Sequence, residues 1–152
     1  SDLKLLEAAK LETERLRTYF WVPSDSAVSS PLVIAPKATP PYIRMCGSYV
    51  ELNKFVDCPN WPIPDPKRQV EKASKFKYYA DLDMSNGFHQ LRLHEDTSRM
   101  LSVATPWGQF QPLFLPEGVS PASYYLHQTM VNVFKGRKDI EDIDVEEWLI
   151  VI

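Results

Sequence analysis

Lys77-Tyr78-Tyr79-Ala80-Asp81-Leu82-Asp83-Met84-Ser85-Asn86-Gly87-Phe88-His89-Gln90 is the stretch on which the reading of this chain turns. Lys77 to Met84 reads as a buried strand. Ser85-Asn86-Gly87 then supplies residue types that tolerate a tight or left-handed turn. Phe88 to Leu93 follows, with Phe, Gln and Arg alternating with His and Leu. An acid therefore sits at the end of an apolar run, at the lip of a Gly-containing turn, with an aromatic five residues on. Asp81, two residues earlier, shares a strand face with Asp83 and reads as a surface or supporting residue. Taken alone, Asp83 has two readings: a side chain capping the turn, or a carboxylate presented to a ligand.

Working outward, Leu3 to Tyr19 predicts an amphipathic helix, with Leu6, Leu11 and Leu16 among Glu, Lys and Arg. Phe20 to Ser30 reads as a loop. Pro31 to Ala35 and Tyr42 to Tyr49 read as strands joined at Thr39-Pro40-Pro41, a possible hairpin. Asp57 to Pro66 is broken by prolines, and Asp65 to Ser74 predicts a short helix with Asp65 as N-cap and Pro66 at its first position. Arg99 to Thr105 and Gln109 to Leu115 flank Pro106-Trp107-Gly108 and predict a second hairpin. Ser120-Pro121 starts a helix over Ala122 to Phe134, ending at Gly136. An acidic loop follows, and Trp148 to Ile152 is wholly apolar, as a buried central strand is. No internal repeat is visible. The pattern supports an α+β class.

The chain has 152 residues, enough for one domain with a core, and its 44% hydrophobic and 24% charged content is ordinary for a globular protein. No segment reaches the uninterrupted apolar length of a membrane span, and the start lacks a signal-peptide pattern. Cys46 and Cys58 define no disulfide framework, which fits a reduced, intracellular setting. Of the thirteen prolines, nine lie between Pro23 and Pro66. The net charge of −3 does not by itself suggest nucleic acid. It is uneven: Ser1 to Lys135 holds 15 basic and 14 acidic residues, whereas Gly136 to Ile152 holds 2 and 6. His89, His94 and His127 lack zinc-finger spacing with the cysteines. Phe20, Trp21, Tyr42 and Trp61 suit either base stacking or a core.

Four stretches, in order, resemble reverse transcriptases of gypsy-type LTR retrotransposons. Asp83-Met84-Ser85-Asn86-Gly87-Phe88-His89-Gln90 is similar to the palm motif, and Thr105-Pro106-Trp107-Gly108-Gln109-Phe110 to the hairpin after it. Leu115-Pro116-Glu117-Gly118-Val119-Ser120-Pro121-Ala122 resembles the nucleotide-pocket turn that opens a palm helix. Ser30-Pro31-Leu32-Val33 through Arg44, Leu52 and Asn53 resembles the fingers strands. Together they cover most of the chain from about Tyr19. The resemblance implies an N-terminal helix over 1–19, fingers over 20–61 and 91–119, and palm over 62–90 and 120–152, the palm sheet antiparallel with packed helices.

The resemblance also implies chemistry. DNA synthesis is in-line phosphoryl transfer, assisted by two magnesium ions held by converging carboxylates. Asp83 matches the first metal ligand. Phe88 matches the aromatic that excludes a ribose 2′-hydroxyl, and also reads as core. Lys37 and Arg44, on residues alone a solvated hairpin pair, match the basic pair on the incoming triphosphate. Glu117 and Gly118 fall in the nucleotide-pocket turn. Implied partners are an RNA or DNA template-primer and deoxynucleotides. The sequence departs from the family at Ser48 and Val50, where an Asp and an Arg are common around the aromatic Tyr49. It departs again at Glu117, where a carboxylate would face a polyanion unless something neutralises it. The family's second carboxylate pair follows a run like Trp148 to Ile152, where this sequence stops. The expectation is therefore an RNA-directed DNA polymerase by family, inactive as this chain alone. The alternative is a domesticated remnant serving as a structural subunit. Either way a protein partner is expected to cover Trp148 to Ile152.

Overall fold

The computed structural model describes residues 2–60, 65–78 and 82–134. Trp61, Asp81, the helix end at Gly136, the acidic loop around Glu141 to Glu147 and the strand expected at Trp148 to Ile152 lie outside them. So does most of what the expected palm sheet would need.

Among the described residues there are five strands: β1 (Trp21–Pro23), β2 (Ser30–Pro36), β3 (Ile43–Gly47), β4 (Val103–Thr105) and β5 (Gly108–Pro112). They form one sheet in the order β1-β5-β4-β2-β3. Neighbours run antiparallel except β2 and β4, which pair in parallel through Ser30 with Val103 and Pro31 with Ala104. The described residues also form four α-helices: α1 (Asp2–Leu16), α2 (Pro66–Ala73), α3 (Glu95–Met100) and α4 (Ala122–Phe134). The architecture is α+β, as the sequence pattern implied.

Both hairpins form where their turn residues predict them. In the first, Ala35 pairs with Arg44 and Pro36 with Ile43, and the Lys37 amide donates to the Tyr42 carbonyl at 2.8 Å. In the second, Thr105 pairs with Gly108 around Pro106 and Trp107. Gly108 has φ +130°, which a side chain would strain. Asp65 caps α2 as expected, its side chain accepting from the Lys67 amide at 3.0 Å, with Pro66 at the first turn.

Three expectations are corrected. The loop over Phe20 to Ser30 contains β1, whose strand character comes entirely from pairing with β5 ninety residues later in the chain, roughly the separation of Trp21 and Pro112. The hairpin arm expected from Arg99 begins instead with α3. His94 caps that helix, its Nδ1 accepting from the Asp96 amide at 3.3 Å, and Glu95 and Asp96 favour its N-terminal dipole. The strand expected over Lys77 to Met84 is not formed at its described positions: Lys77, Tyr78, Leu82, Asp83 and Met84 are irregular, with Tyr78 and Leu82 exposed. A strand requires a partner, and none of the five described strands pairs with this segment.

The core residues Trp21, Phe110, Val103 and Leu32 share one face of the sheet. Leu16, Phe20, Trp21 and Phe110 form one cluster, and Tyr49, Leu101 and Val103 another, with Leu32 touching both. Trp21 stacks on Phe110 with centroids 5.7 Å apart. Phe20 and Trp21 are thus core aromatics, whereas Tyr42 is exposed. On α1 only Leu16 of the three predicted leucines is buried; Leu6 and Leu11 are exposed. A five-residue spacing turns a helix by about 140° per step, so the three cannot share a face. The face that α1 buries is Ala9, Glu12, Thr13 and Leu16, and half of it is polar.

Candidate functional site

The β2–β3 hairpin carries Lys37 and Arg44. Arg44 pairs with Ala35, and Lys37 lies two residues beyond Ala35, so the two basic side chains are diagonal neighbours on one face. The hairpin lies beside α1 and the turn at Glu117: Arg44 of that face meets Glu117, and Met45 of the other face packs on the cluster that holds Leu16 of α1. Between them is a cleft of about 120 Å³. Arg15 and Glu12 of α1, Lys37, Arg44 and Cys46 of the hairpin, Asn86 and His89, and Glu117 all line it.

Arg44 Nη1 lies 3.5 Å from Glu117 Oε2, with both side chains about half exposed. The acid that faces the basic pair in the sequence reading is therefore matched by one member of that pair. On the opposite wall Arg15 donates from Nε and Nη2 to the two carboxylate oxygens of Glu12, at 2.8 and 2.6 Å. Glu12 is nearly buried, and this fork satisfies it. Its hydrogen bonds hold the Arg15 guanidinium even more firmly charged than usual.

The Glu117 turn is fixed by a residue whose role the sequence did not reveal. Asn53 donates from Nδ2 to the Gly118 carbonyl at 2.9 Å, and its Oδ1 accepts from the Ser120 amide at 2.9 Å. Gly118 itself has φ +92°. Any other residue there would strain the backbone. Tyr49, between the hairpin and Asn53, is buried and donates its hydroxyl to the Leu101 carbonyl at 2.9 Å. Burial pushes that phenol well above its ordinary range, so it is a neutral donor. A Cβ on Gly47 would meet the Tyr49 ring at 2.6 Å, which explains a glycine where the hairpin ends.

The Ser85–Gln90 segment closes the cleft from below. Asn86 is left-handed at φ 49°, and Gly87 to Gln90 make a 3-10 turn rather than the start of an alternating strand. Gln90 Nε2 donates back to the Ser85 carbonyl at 3.0 Å. A Cβ on Gly87 would come within 3.1 Å of Met84 and 3.4 Å of Leu126, so its absence lets the turn seat on α4. His89 stacks on Phe20, centroids 4.1 Å apart, and its buried Nδ1 has no hydrogen-bond partner. Burial lowers its pKa, against an opposing pull from Glu117. Burial also raises the Cys46 thiol, helped by Glu117.

Of the sequence-predicted residues, Lys37, Arg44 and Glu117 come together in this cleft. Asp83, Phe88 and Gly118 do not line it. Asp83 is exposed, and no hydrogen bond or ion pair among the described residues engages its carboxylate, so it does not cap the turn there. Phe88 is half-buried within the 3-10 turn. Gly118 serves the backbone of the pocket turn. Among the described residues no cluster of three His, Cys, Asp or Glu is placed to hold a metal, so Asp83 alone does not build a magnesium site. Glu12 and Arg15 were missed because their i, i+3 pairing on a charged helix reads as a solvated pair until the helix is packed.

No helix among the described residues is long and apolar enough to cross a membrane. No protein-family model matches the chain. It is 29% identical to the retrovirus-related Pol polyprotein from transposon 412 of Drosophila melanogaster over 135 residues, 86% of this chain and 11% of that polyprotein. It is 32% identical to the retrovirus-related Pol polyprotein from transposon opus of the same fly over 117 residues, 74% of this chain and 12% of the relative. A putative enzymatic polyprotein of Cassava vein mosaic virus is 26% identical over 83% of this chain and 20% of its own length. The chain thus spans about a tenth to a fifth of the relatives it matches. Over most of its length it is similar to one segment of retroelement Pol polyproteins.

Proposed function

We propose that this chain is the fingers and N-terminal palm of a gypsy-type reverse transcriptase, an RNA-directed DNA polymerase, inactive in isolation. The observation that carries the proposal is the cleft. Lys37 and Arg44 of one hairpin and the distant Glu117 meet beside Asn86 and His89. Those are the positions that match the family's triphosphate contacts and pocket turn. The strand assignment supports it too. All five strands fall within 20–61 and 91–119, the two stretches assigned to the fingers, and they knit into one sheet.

In this reading Lys37 and Arg44 take phosphate oxygens, the first as a point charge and the second as a fork. The pocket turn, pinned by Asn53, frames the nucleotide, and Phe88 stands beside its sugar. Asp83 would be one carboxylate of the magnesium site; the other ligands are not supplied by the described residues. A second reading, a domesticated non-catalytic subunit that holds protein partners, is favoured by one observation: Arg44 is already engaged by Glu117.

The test uses a polymerase that carries this segment together with the rest of its palm. Asp83→Asn is expected to abolish primer extension while leaving folding and template binding intact. Phe88→Val is expected to raise ribonucleotide use relative to deoxynucleotide use. An Asp83→Asn enzyme that still extends primers removes the catalytic assignment. The unmodified isolated chain is expected to give no extension with magnesium or manganese.

A further inference from the structure

Glu117 is the acidic side chain that meets Arg44 across the cleft, 3.5 Å away. Its charge reaches inward as well: it adds to the upward push on Cys46 and opposes the lowering at His89, two groups on different elements of the cleft wall. The backbone beneath it is held. Asn53 bonds both Gly118 and Ser120, and Gly118 occupies a left-handed conformation. Glu117 is therefore kept at the cleft by its own turn and can leave Arg44 only by side-chain rotation. The remaining cations are few. Arg15 is engaged by both oxygens of Glu12, which leaves Lys37 and Arg44 to meet an anion.

We infer that Glu117 is a built-in competitor for Arg44, so that the cleft takes a polyphosphate anion only by displacing the Glu117 carboxylate from the Arg44 guanidinium. This rests on reading the cleft as a triphosphate site. No covalent bond changes: oxygens of the incoming anion replace the carboxylate oxygen at Nη1, and Glu117 turns toward water. Because both partners are about half exposed, water screens the pair, and the competition weakens binding without preventing it. The device makes the cleft selective for ligands with several negative charges over those with one.

The full chain, titrated calorimetrically with inorganic tripolyphosphate at fixed ionic strength, tests this. Glu117→Gln keeps the shape and removes the charge. It is expected to bind about three- to tenfold more tightly than the unmodified chain. Arg44→Gln is expected to bind more weakly, and Glu117→Gln added to it should recover much less than it gains alone. Equal affinity of Glu117→Gln and the unmodified chain overturns the inference. So does a gain of the same size with and without Arg44, or binding by none of the four proteins. The polymerase reading fails separately. A primer-extending Asp83→Asn enzyme whose segment still shows the Glu117→Gln gain would remove the metal ligand and leave the competitor standing.

Discussion

The sheet with α1 and α3 is held differently from the segment that runs through α2 to the turn at Ser85–Gln90. In the sheet region several side-chain bonds join residues far apart in sequence. Gln111 accepts from the Ser24 hydroxyl at 2.8 Å and donates to Ser98 and Glu95, each at 3.1 Å. Ser98 in turn donates to the Pro112 carbonyl at 2.6 Å, and Arg99 pairs with Asp25. In the other segment, among the described residues, the Lys67 amide bonds Asp65, the Ser74 hydroxyl bonds Glu71 and Gln90 bonds Ser85, all local. There Val70, Tyr78 and Leu82 stand exposed. Long-range bonds tie elements into one cooperative unit, whereas local bonds shape a segment without anchoring it. The difference teaches where this chain keeps its stability.

The largest expected effect comes from cutting into the better-tied region. Phe110→Ala removes the buried ring that stacks on Trp21, and should cost about 3–5 kcal/mol through a cavity. Tyr78→Ser in the locally bonded segment should cost less than about 0.5 kcal/mol. Urea denaturation of the two variants decides the matter, and similar losses would erase the contrast. A middle-sized effect is expected at Gln111, which is buried and serves three partners. Gln111→Ala should lose about 1–3 kcal/mol, because Ser24 and Ser98 are left with unmet polar atoms. Should this variant melt with the unmodified chain, the polar seam does not bind α3 to the sheet.

The smallest effect sharpens the boundary between the regions, where His89 of the turn stacks on Phe20 of the core. Burial holds the His89 pKa below its ordinary value. As pH falls, the unfolded chain takes up that proton first, so stability is present above the unfolded pKa and is lost as pH drops through the folded one. Thermal melts between pH 7 and pH 5 should decline slightly more steeply for the unmodified chain than for His89→Phe. Parallel declines would mean that this imidazole feels no burial.

What was legible in the sequence were the elements announced by their own neighbours. Thr39-Pro40-Pro41 and Pro106-Trp107-Gly108 mark hairpins, while Asp65-Pro66 and Ser120-Pro121 mark helix starts, because turn and cap preferences act within a few residues. β1 was illegible because three residues carry no periodicity, and their partner lies at β5. α3 was hidden by its length and by a histidine cap. The Lys77–Met84 stretch has the composition of a strand, but composition does not supply a neighbour to pair with. At the site, Lys37 and Arg44 were legible because a hairpin converts a spacing into a shared face. Asn53 was legible only as part of a family pattern, since its two bonds to the pocket turn arise from tertiary packing. The neutralising partner of Glu117 was likewise a tertiary fact, supplied by Arg44 from another strand.

The strand order also sets a schedule. β1 and β2 emerge from synthesis one after the other, yet in the finished sheet they are separated by β4 and β5. Nothing in the first sixty residues can close that gap. The early strands must wait while α2 and the turn are made, and the sheet assembles only when the β4–β5 hairpin arrives to fill the space between them. Sheets that depend on such distant pairings form slowly. During that interval the edges of β1 and β2 are open to other chains. This interval is the time of greatest exposure to misassembly.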